Sequence, residues 1–390
     1  MAKIMDGPVL IIQRLMYRTT EKLRKLAFWL IDHLKNNKIG HHLNDIYVIL
    51  ENPEKTNVVN RQNLYLNKIL SHASGSVPYY KNYHRPLNQI QDFPVINKTI
   101  IRNSFDSFIS NKYKKEKLIP VITSGSTGTP FKILHDHNKR CRNSADTIYF
   151  GKMAGYELGH RLYYLKIWNE INRKKWIELK SQNIVPKNVL KLSEEYLEKL
   201  VEQLIRDKSS KDLLGYASAF DAIITFIEKN NYNTLPSNIK SIIAISEPLD
   251  KNTQDKLSRY FGVPAVSRYS NVENGMIAQQ STQTQNEFFI NWASYFIEIL
   301  NTDNDDPVPD GQPGRIVVTD LFNYGMPMIR YDTGDIGVME AMETENKKFK
   351  VLSRIEGRRM DLIYNTRGDL VSSFTITNNM WKYQEIIQYQ

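Results

Sequence analysis

Along the first third of the chain the apolar positions recur at helical spacing, and towards the end they recur at strand spacing. Leu23, Leu26, Ala27, Leu30, Ile31 and Leu34 repeat every three or four residues while Lys22, Arg24 and Lys25 fall elsewhere, which predicts an amphipathic helix over residues 20–34. Its stripe is expected to bury against the same protein. The sharper reading, contact with a membrane surface through a basic helix, stands beside it. A second helical pattern covers residues 61–71, and Pro78 and Pro94 predict loop or extended chain around them. Further on, helices and short strands alternate, which predicts an α/β architecture. Ser193 reads as an N-cap, with Leu197, Leu200, Val201, Leu204 and Ile205 as the buried stripe behind it. A helix is expected over 219–229 and a buried strand over 241–245. Asp250 then caps a helix that Gly262 ends, and a strand follows over 263–269. Beyond about residue 287 the signals are strands and hairpins, over 296–300, 315–319, 336–340 and 348–353. The Asp-rich stretch 303–306 lacks the twelfth-position Glu of a calcium loop and reads as a hairpin turn. The boundaries this suggests are a helical N-terminal region (1–110), an α/β nucleotide- and substrate-binding core (111–286), a strand-rich subdomain (287–357), and a hinge with the start of a C-terminal domain (358–390).

Composition narrows the class. Apolar residues make up 41% and charged residues 24%, as in soluble globular proteins. No apolar run approaches the ~18 residues of a membrane span, and no signal peptide opens the chain. One cysteine, Cys141, excludes an intramolecular disulfide and fits a reducing compartment, so a cytoplasmic location is expected. The net charge of +10 is uneven: residues 1–140 hold 22 Lys and Arg against 10 Asp and Glu, and the remainder holds 30 against 32. That excess suits a polyanion or an anionic membrane surface. No basic motif interleaved with stacking aromatics points to nucleic acid, so a solvated basic face is the plainer reading. His135 and His137 read as exposed loop histidines rather than a metal pair, and no structural metal is expected.

The stretch most suggestive of chemistry is Thr123-Ser124-Gly125-Ser126-Thr127-Gly128-Thr129-Pro130. Its glycines permit tight turns, and its hydroxyls and N–H groups can converge on a phosphate. It is not a Walker loop, which needs Gly-Lys-Ser/Thr at its end. By composition alone a surface turn after a short strand fits equally well.

Taken with later stretches, this loop resembles the signatures of the adenylate-forming superfamily, and most closely its phenylacetate-CoA ligase-like branch with relatives from capsular-polysaccharide clusters. The stretches are Gly215-Tyr216-Ala217-Ser218, Ser246-Glu247-Pro248, Tyr269-Ser270-Asn271-Val272-Glu273, the run from Met326 to Asp335, and Gly357-Arg358-Arg359-Met360-Asp361. The resemblance implies a large α/β domain of mainly parallel sheets flanked by helices, joined to a strand-rich subdomain and a small mobile C-terminal domain. It implies that Thr123, Ser124, Gly125, Ser126, Thr127 and Gly128 hold the phosphates of ATP, that Glu273 is a Mg²⁺ ligand, and that Asp335 accepts hydrogen bonds from the ribose hydroxyls. It further places Ser246, Glu247, Pro248, Tyr269 and Ser270 around the nucleotide, Tyr216, Ala217 and Ser218 on the substrate side, Arg358 as a ribose or phosphate contact, and Asp361 at the hinge.

The chain departs from the superfamily pattern in several places. Val272 replaces a hydroxyl residue and Ser270 a glycine. Phe131 stands where many relatives have lysine, which leaves Lys132 as a doubtful substitute, and the cysteines of a structural zinc site are missing. The sequence ends at Gln390 with little more than the start of the small domain, so nucleotide binding is expected to survive while chemistry is slow. The function expected is ATP-dependent activation of a small carboxylic acid as an acyl-adenylate, with transfer to CoA. Two rivals remain: an amide ligase that passes the acid or an amino acid to an amine acceptor on a polysaccharide precursor, and a non-catalytic nucleotide- or acyl-binding module.

Overall fold

The structure is a computed structural model that describes residues 8–123, 131–168, 170, 173–190, 192–284, 286–344, 347–358, 363–364 and 370–371. The chain forms two compact units, one made of residues 1–40, 147–269 and 280–285, the other of 41–146, 270–279 and 286–390.

In the first unit the strands Arg161–Lys166, Ile184–Asn188, Lys211–Tyr216, Ile239–Ile245 and Ala265–Asn271 form a parallel sheet in which 161–166 lies between 184–188 and 211–216, followed by 239–245 and 265–271. Each parallel step needs a helical crossover. The helices Glu194–Arg206, Ala217–Lys229 and Lys251–Phe261 occupy the connections. They bury Leu197, Leu200, Leu204, Phe220, Ile223, Ile227 and Leu257 against Tyr163, Leu165, Leu213, Ile242 and Ala244 of the sheet. The caps lie where the residue types ask for them: the Ser193 hydroxyl accepts from Tyr196 N, Asp250 Oδ1 accepts from Thr253 N at 2.9 Å, and Gly262 ends its helix at φ 72°.

The first helix of this unit, Pro8–Leu34, starts earlier than its pattern announced, and its stripe does not bury. Leu23, Leu26, Leu30, Ile31 and Leu34 are exposed, and the side packed on the unit carries the buried Glu21 and Asp32 with the half-buried Phe28 and Trp29. The reason is that Glu21 and Asp32 are needed inside. Glu21 accepts from Ser210 N at 2.8 Å, and Asp32 accepts from Ile39 N and Gly40 N, the opening N–H groups of the next helix, Lys38–Glu51.

In the second unit the strands Ile119–Ile122 and Lys132–His135 pair antiparallel. A mostly antiparallel sheet contains, in spatial order, Tyr295–Leu300, Pro313–Asp320, Tyr331–Thr344, Lys347–Arg358, Phe288–Ile290 and Gly275–Gln280. Residues 303–306 lie in the turn between the first two of these, as their composition suggested. The core joins the helix Thr56–Ser76 through Ile69, Leu70 and Ala73 to Tyr80, Phe93, Phe108, Phe131, Met326, Met328, Ile329 and Tyr331. Pro78 corrects its expected role: it opens a short helix, Pro78–Lys81, at the position where its missing N–H costs nothing. A buried ionic lattice ties the helix His137–Met153 in place: Lys139 pairs with Asp320 at 2.6 Å, and Arg142 binds Asp45, Ser294 and the Ala293 carbonyl.

Candidate active site

Two of the stretches singled out by sequence meet in the first unit. The strand Ile239–Ile245 stops where Ser246 turns left-handed at φ 68°, followed by Glu247 and Pro248. Glu247 Oε2 accepts from Ser218 N at 2.8 Å. Ser218 is in the first turn of the helix Ala217–Lys229, whose cap residue, Tyr216, supplies no side-chain acceptor. A carboxylate from the neighbouring loop thus satisfies an open helix N–H and complements the positive end of that helix. Both loops lie at the carboxyl ends of adjacent parallel strands, where open α/β sheets bind ligands. Tyr269 lies near the carboxyl end of the next strand, half-buried, and Ser270 follows it.

The second unit builds a charged cluster around Glu273, which is only 2% exposed. Its Oε1 is 2.8 Å from Lys98 Nζ and accepts from the Tyr331 hydroxyl at 3.2 Å, while its backbone carbonyl accepts from His135 Nε2 at 2.7 Å. Burial first, then the Glu273 carboxylate, followed by Asp335 and Asp332, drive the Tyr331 phenol far above its ordinary pKa, so it stays a neutral donor. Asp335 is half-buried, its backbone N–H held by Thr333 Oγ1, and it is the register partner of Arg358 on the adjoining strand. Lys98 opens the helix Lys98–Asn103, which Asn97 caps by accepting from Ile100 N. The Lys98 ammonium also lies 5.7 Å from the centre of the Phe131 ring.

His135 is buried rather than exposed, because its ring carries the Glu273 backbone and fills the base of the cluster. Burial, with Lys139 nearby, pushes its pKa down to about 4. Thr123 pairs with Phe131, the described residues on either side of 124–130: its N–H donates to the Phe131 carbonyl at 2.9 Å, and its Oγ1 accepts from Phe131 N. Cavities of ≈ 260 and ≈ 370 Å³ in the same unit, one beside Trp292 and Phe349 and the other beside Arg85 and Asp305, are lined by none of the sequence-predicted site residues.

No family model matches the chain. Among curated proteins it is similar to the phenylacetate-coenzyme A ligase of Pseudomonas putida, 23% identical over 339 residues that cover 81% of this chain and 74% of that one. It is also 24% identical over 310 residues to the protein of that name from Aromatoleum evansii, covering 75% and 68%. Among solved structures, 2-hydroxyisobutyryl-CoA ligase in its postadenylation state superposes with a TM-score of 0.68 at 18% identity, over 84% of this chain and 73% of that one. An open conformation of that ligase, in complex with 2-HIB-AMP and CoA, gives 0.64 at 18% identity, over 82% and 78%. In sequence the chain is thus similar to phenylacetate-coenzyme A ligases, and in fold to 2-hydroxyisobutyryl-CoA ligase.

Against the superfamily resemblance, the structure brings Ser218 together with Glu247, and sets Glu273 on the Tyr331 hydroxyl, whose pKa Asp335 also raises through its charge. Ser124, Gly125, Ser126, Thr127, Gly128 and Asp361 lie outside the described residues, as does the side chain of Arg358. Val272 is half-exposed on the turn between two strands, while its neighbour Glu273 points inward. Lys132 lies 5.7 Å from the Phe105 ring centre. The cation that reaches Glu273 is Lys98, which sequence reasoning missed. Its only local signal was the capping Asn97, which announces a helix start but not a partner distant in the chain. Among the described residues no group of three His, Cys, Asp or Glu is placed to hold a metal ion, and no helix is long and apolar enough to cross a membrane. Glu273 does offer one hard oxygen ligand, which suits a Mg²⁺ ion whose remaining positions are filled by water and phosphate.

Proposed function

We propose that this chain activates a carboxylic acid with ATP and passes the acyl group to CoA. In the first half-reaction a carboxylate oxygen bonds to the α-phosphorus as the bond from that phosphorus to the pyrophosphate oxygen breaks. In the second, the deprotonated CoA sulfur bonds to the acyl carbon, and AMP leaves with the electron pair. Both halves crowd anions together, so the site acts mainly through placed charge.

The observation that carries this reading is the Glu273 cluster: a buried carboxylate held by Tyr331 and faced by a part-exposed ammonium. An isolated carboxylate is costly to bury, so its retention with a solvent-reaching cation fits a site prepared for a charged ligand. Glu273 would hold Mg²⁺, which when bound offsets phosphate charge. Lys98 provides a cation for the phosphates, as a point charge that can turn from Glu273 towards them. Asp335 suits the two ribose hydroxyls, since a carboxylate accepts at both oxygens. In the first unit the Glu247–Ser218 link fixes the turn assigned to the adenine beside the loop assigned to the acid. The names of the curated relatives favour CoA over an amine as acceptor.

Acid-dependent exchange of labelled pyrophosphate into ATP tests the first half-reaction across aromatic, short aliphatic and hydroxy acids. At least one class should support exchange, and Glu273→Gln should lower it by about 10²- to 10³-fold. If no acid supports exchange while ATP still raises the melting temperature, the protein is a nucleotide-binding module and the catalytic reading fails.

A further inference from the structure

The first helix is turned the unexpected way round. On the wheel of Pro8–Leu34, the side facing its own unit carries Glu21 and Asp32, and Lys25 reaches Glu157 at 2.6 Å. Gly159 comes so close that a Cβ there would meet the Glu21 carbonyl oxygen at 2.1 Å, so the helix is seated tightly on that side. The opposite side presents Met16, Leu23, Leu26, Leu30, Ile31 and Leu34, each between 53% and 75% exposed. From Leu23 onward these side chains, at three- and four-residue spacing, form one apolar strip along the helix, and Met16 lies two turns before it on the same side. A strip of this extent on a soluble surface marks an interaction site.

Charge identifies the occupant. The only acidic residues of this helix, Glu21 and Asp32, are buried and committed to backbone N–H groups. Lys22 flanks the strip on one side and Arg24 on the other, so the formal charge that the helix itself sets along the strip's edges is positive. A second copy docked strip to strip would set these cations against one another. A bilayer with anionic headgroups meets both features, taking the leucines between its acyl chains and pairing its headgroups with the flanking cations. We infer that the face of Pro8–Leu34 bearing Leu23, Leu26, Leu30 and Leu34 docks the protein, lying flat, on an anionic lipid surface. This inference does not depend on the catalytic reading, because its residues are separate from the Glu273 cluster.

The test is co-sedimentation of the full chain with two kinds of vesicle: phosphatidylcholine alone, and phosphatidylcholine with one part in four phosphatidylglycerol. Binding should be at least about tenfold tighter to the anionic vesicles and should weaken as salt screens the cations. Leu26→Glu combined with Leu30→Glu removes two buried-in-lipid side chains and adds two negative charges. It should lower binding by more than about tenfold. Both positions are exposed, so the double variant should melt with the parent, and acid-dependent pyrophosphate exchange in solution should be unchanged. The inference is overturned if the parent fails to sediment with anionic vesicles, or if the double variant sediments equally well. It is likewise overturned if light scattering shows the parent to be a dimer that the double variant dissolves, which would assign the strip to a second copy of this chain.

Discussion

Lys98 and His135 show what single residues do at the Glu273 cluster. Replacing Lys98 by Met leaves the Glu273 carboxylate buried beside Tyr331 with no counter-charge, and removes the cation offered to the phosphates. Adenylate formation is expected to fall by about 10²-fold, with Lys98→Arg recovering part of it. Stopped-flow or exchange rates equal to the parent in Lys98→Met would take this lysine out of the chemistry. His135 makes a different prediction, about acid. Its Nε2–H donates to the Glu273 carbonyl, and its Nδ1 is buried without a hydrogen-bond partner, so a second proton would have no acceptor. Its pKa is lowered to about 4 in the fold, from 6.5. Between these values the unfolded chain takes up a proton that the native chain refuses. Stability from this group is therefore complete above pH 6.5 and is lost as pH falls towards 4, by up to about 3 kcal/mol. His135→Gln keeps a donor and cannot titrate, so its urea midpoint should fall less on acidification than the parent's. Equal slopes would refute the assignment. Glu273 and Asp335 could be picked out in the sequence because each is part of a short motif. Lys98 and His135 could not, since each acts by meeting a residue far along the chain.

At the level of elements, the sequence carried what local chemistry decides. Ser193, Asp250 and Gly262 announce helix ends because a side-chain acceptor or a left-handed turn is needed at that residue and nowhere else. Alternation alone could not give strand length: the strand expected over 336–340 runs Tyr331–Thr344, since its extra residues find partners in the strands on either side. The first helix misled for the converse reason. Periodicity shows that two faces differ, but which face turns inward depends on partners such as Ser210 and Gly159 that lie elsewhere in the chain. Gly159 has φ 101°, and its backbone touches the carbonyl of Glu21. Gly159→Ala adds left-handed strain of about 1–2 kcal/mol and forces a methyl against that oxygen. The expected result is a lower melting temperature together with faster proteolysis within Pro8–Leu34, because the helix must lift to make room. Unchanged cleavage of the helix in a destabilised variant would show that the strain is absorbed elsewhere.

Across the whole molecule, burial of cations sets the alkaline behaviour. The protein carries +10 at neutral pH and has a pI near 9.3. Lys211, fully buried, donates to the carbonyls of Asp207 and Ser209, and burial lowers its pKa to about 8. Lys166, beside the rings of Tyr164 and Trp168, is lowered to about 8 by burial and by Lys174. A lysine whose folded pKa lies below its unfolded 10.5 costs stability wherever both states hold the proton, that is, below about pH 8. Between 8 and 10.5 the native state releases its proton first, so the cost is relieved as pH rises. Lys211 alone is equivalent to at most about 3 kcal/mol. Falling net charge acts in the same direction by reducing self-repulsion, but salt separates the two, because it screens exposed charges and reaches buried ones poorly. The urea midpoint is therefore expected to rise between about pH 8 and about pH 9.5, and the rise should persist in roughly 0.5 M salt. A rise that disappears in salt would assign it to surface repulsion and leave no titrating role for the buried Lys211 and the half-buried Lys166.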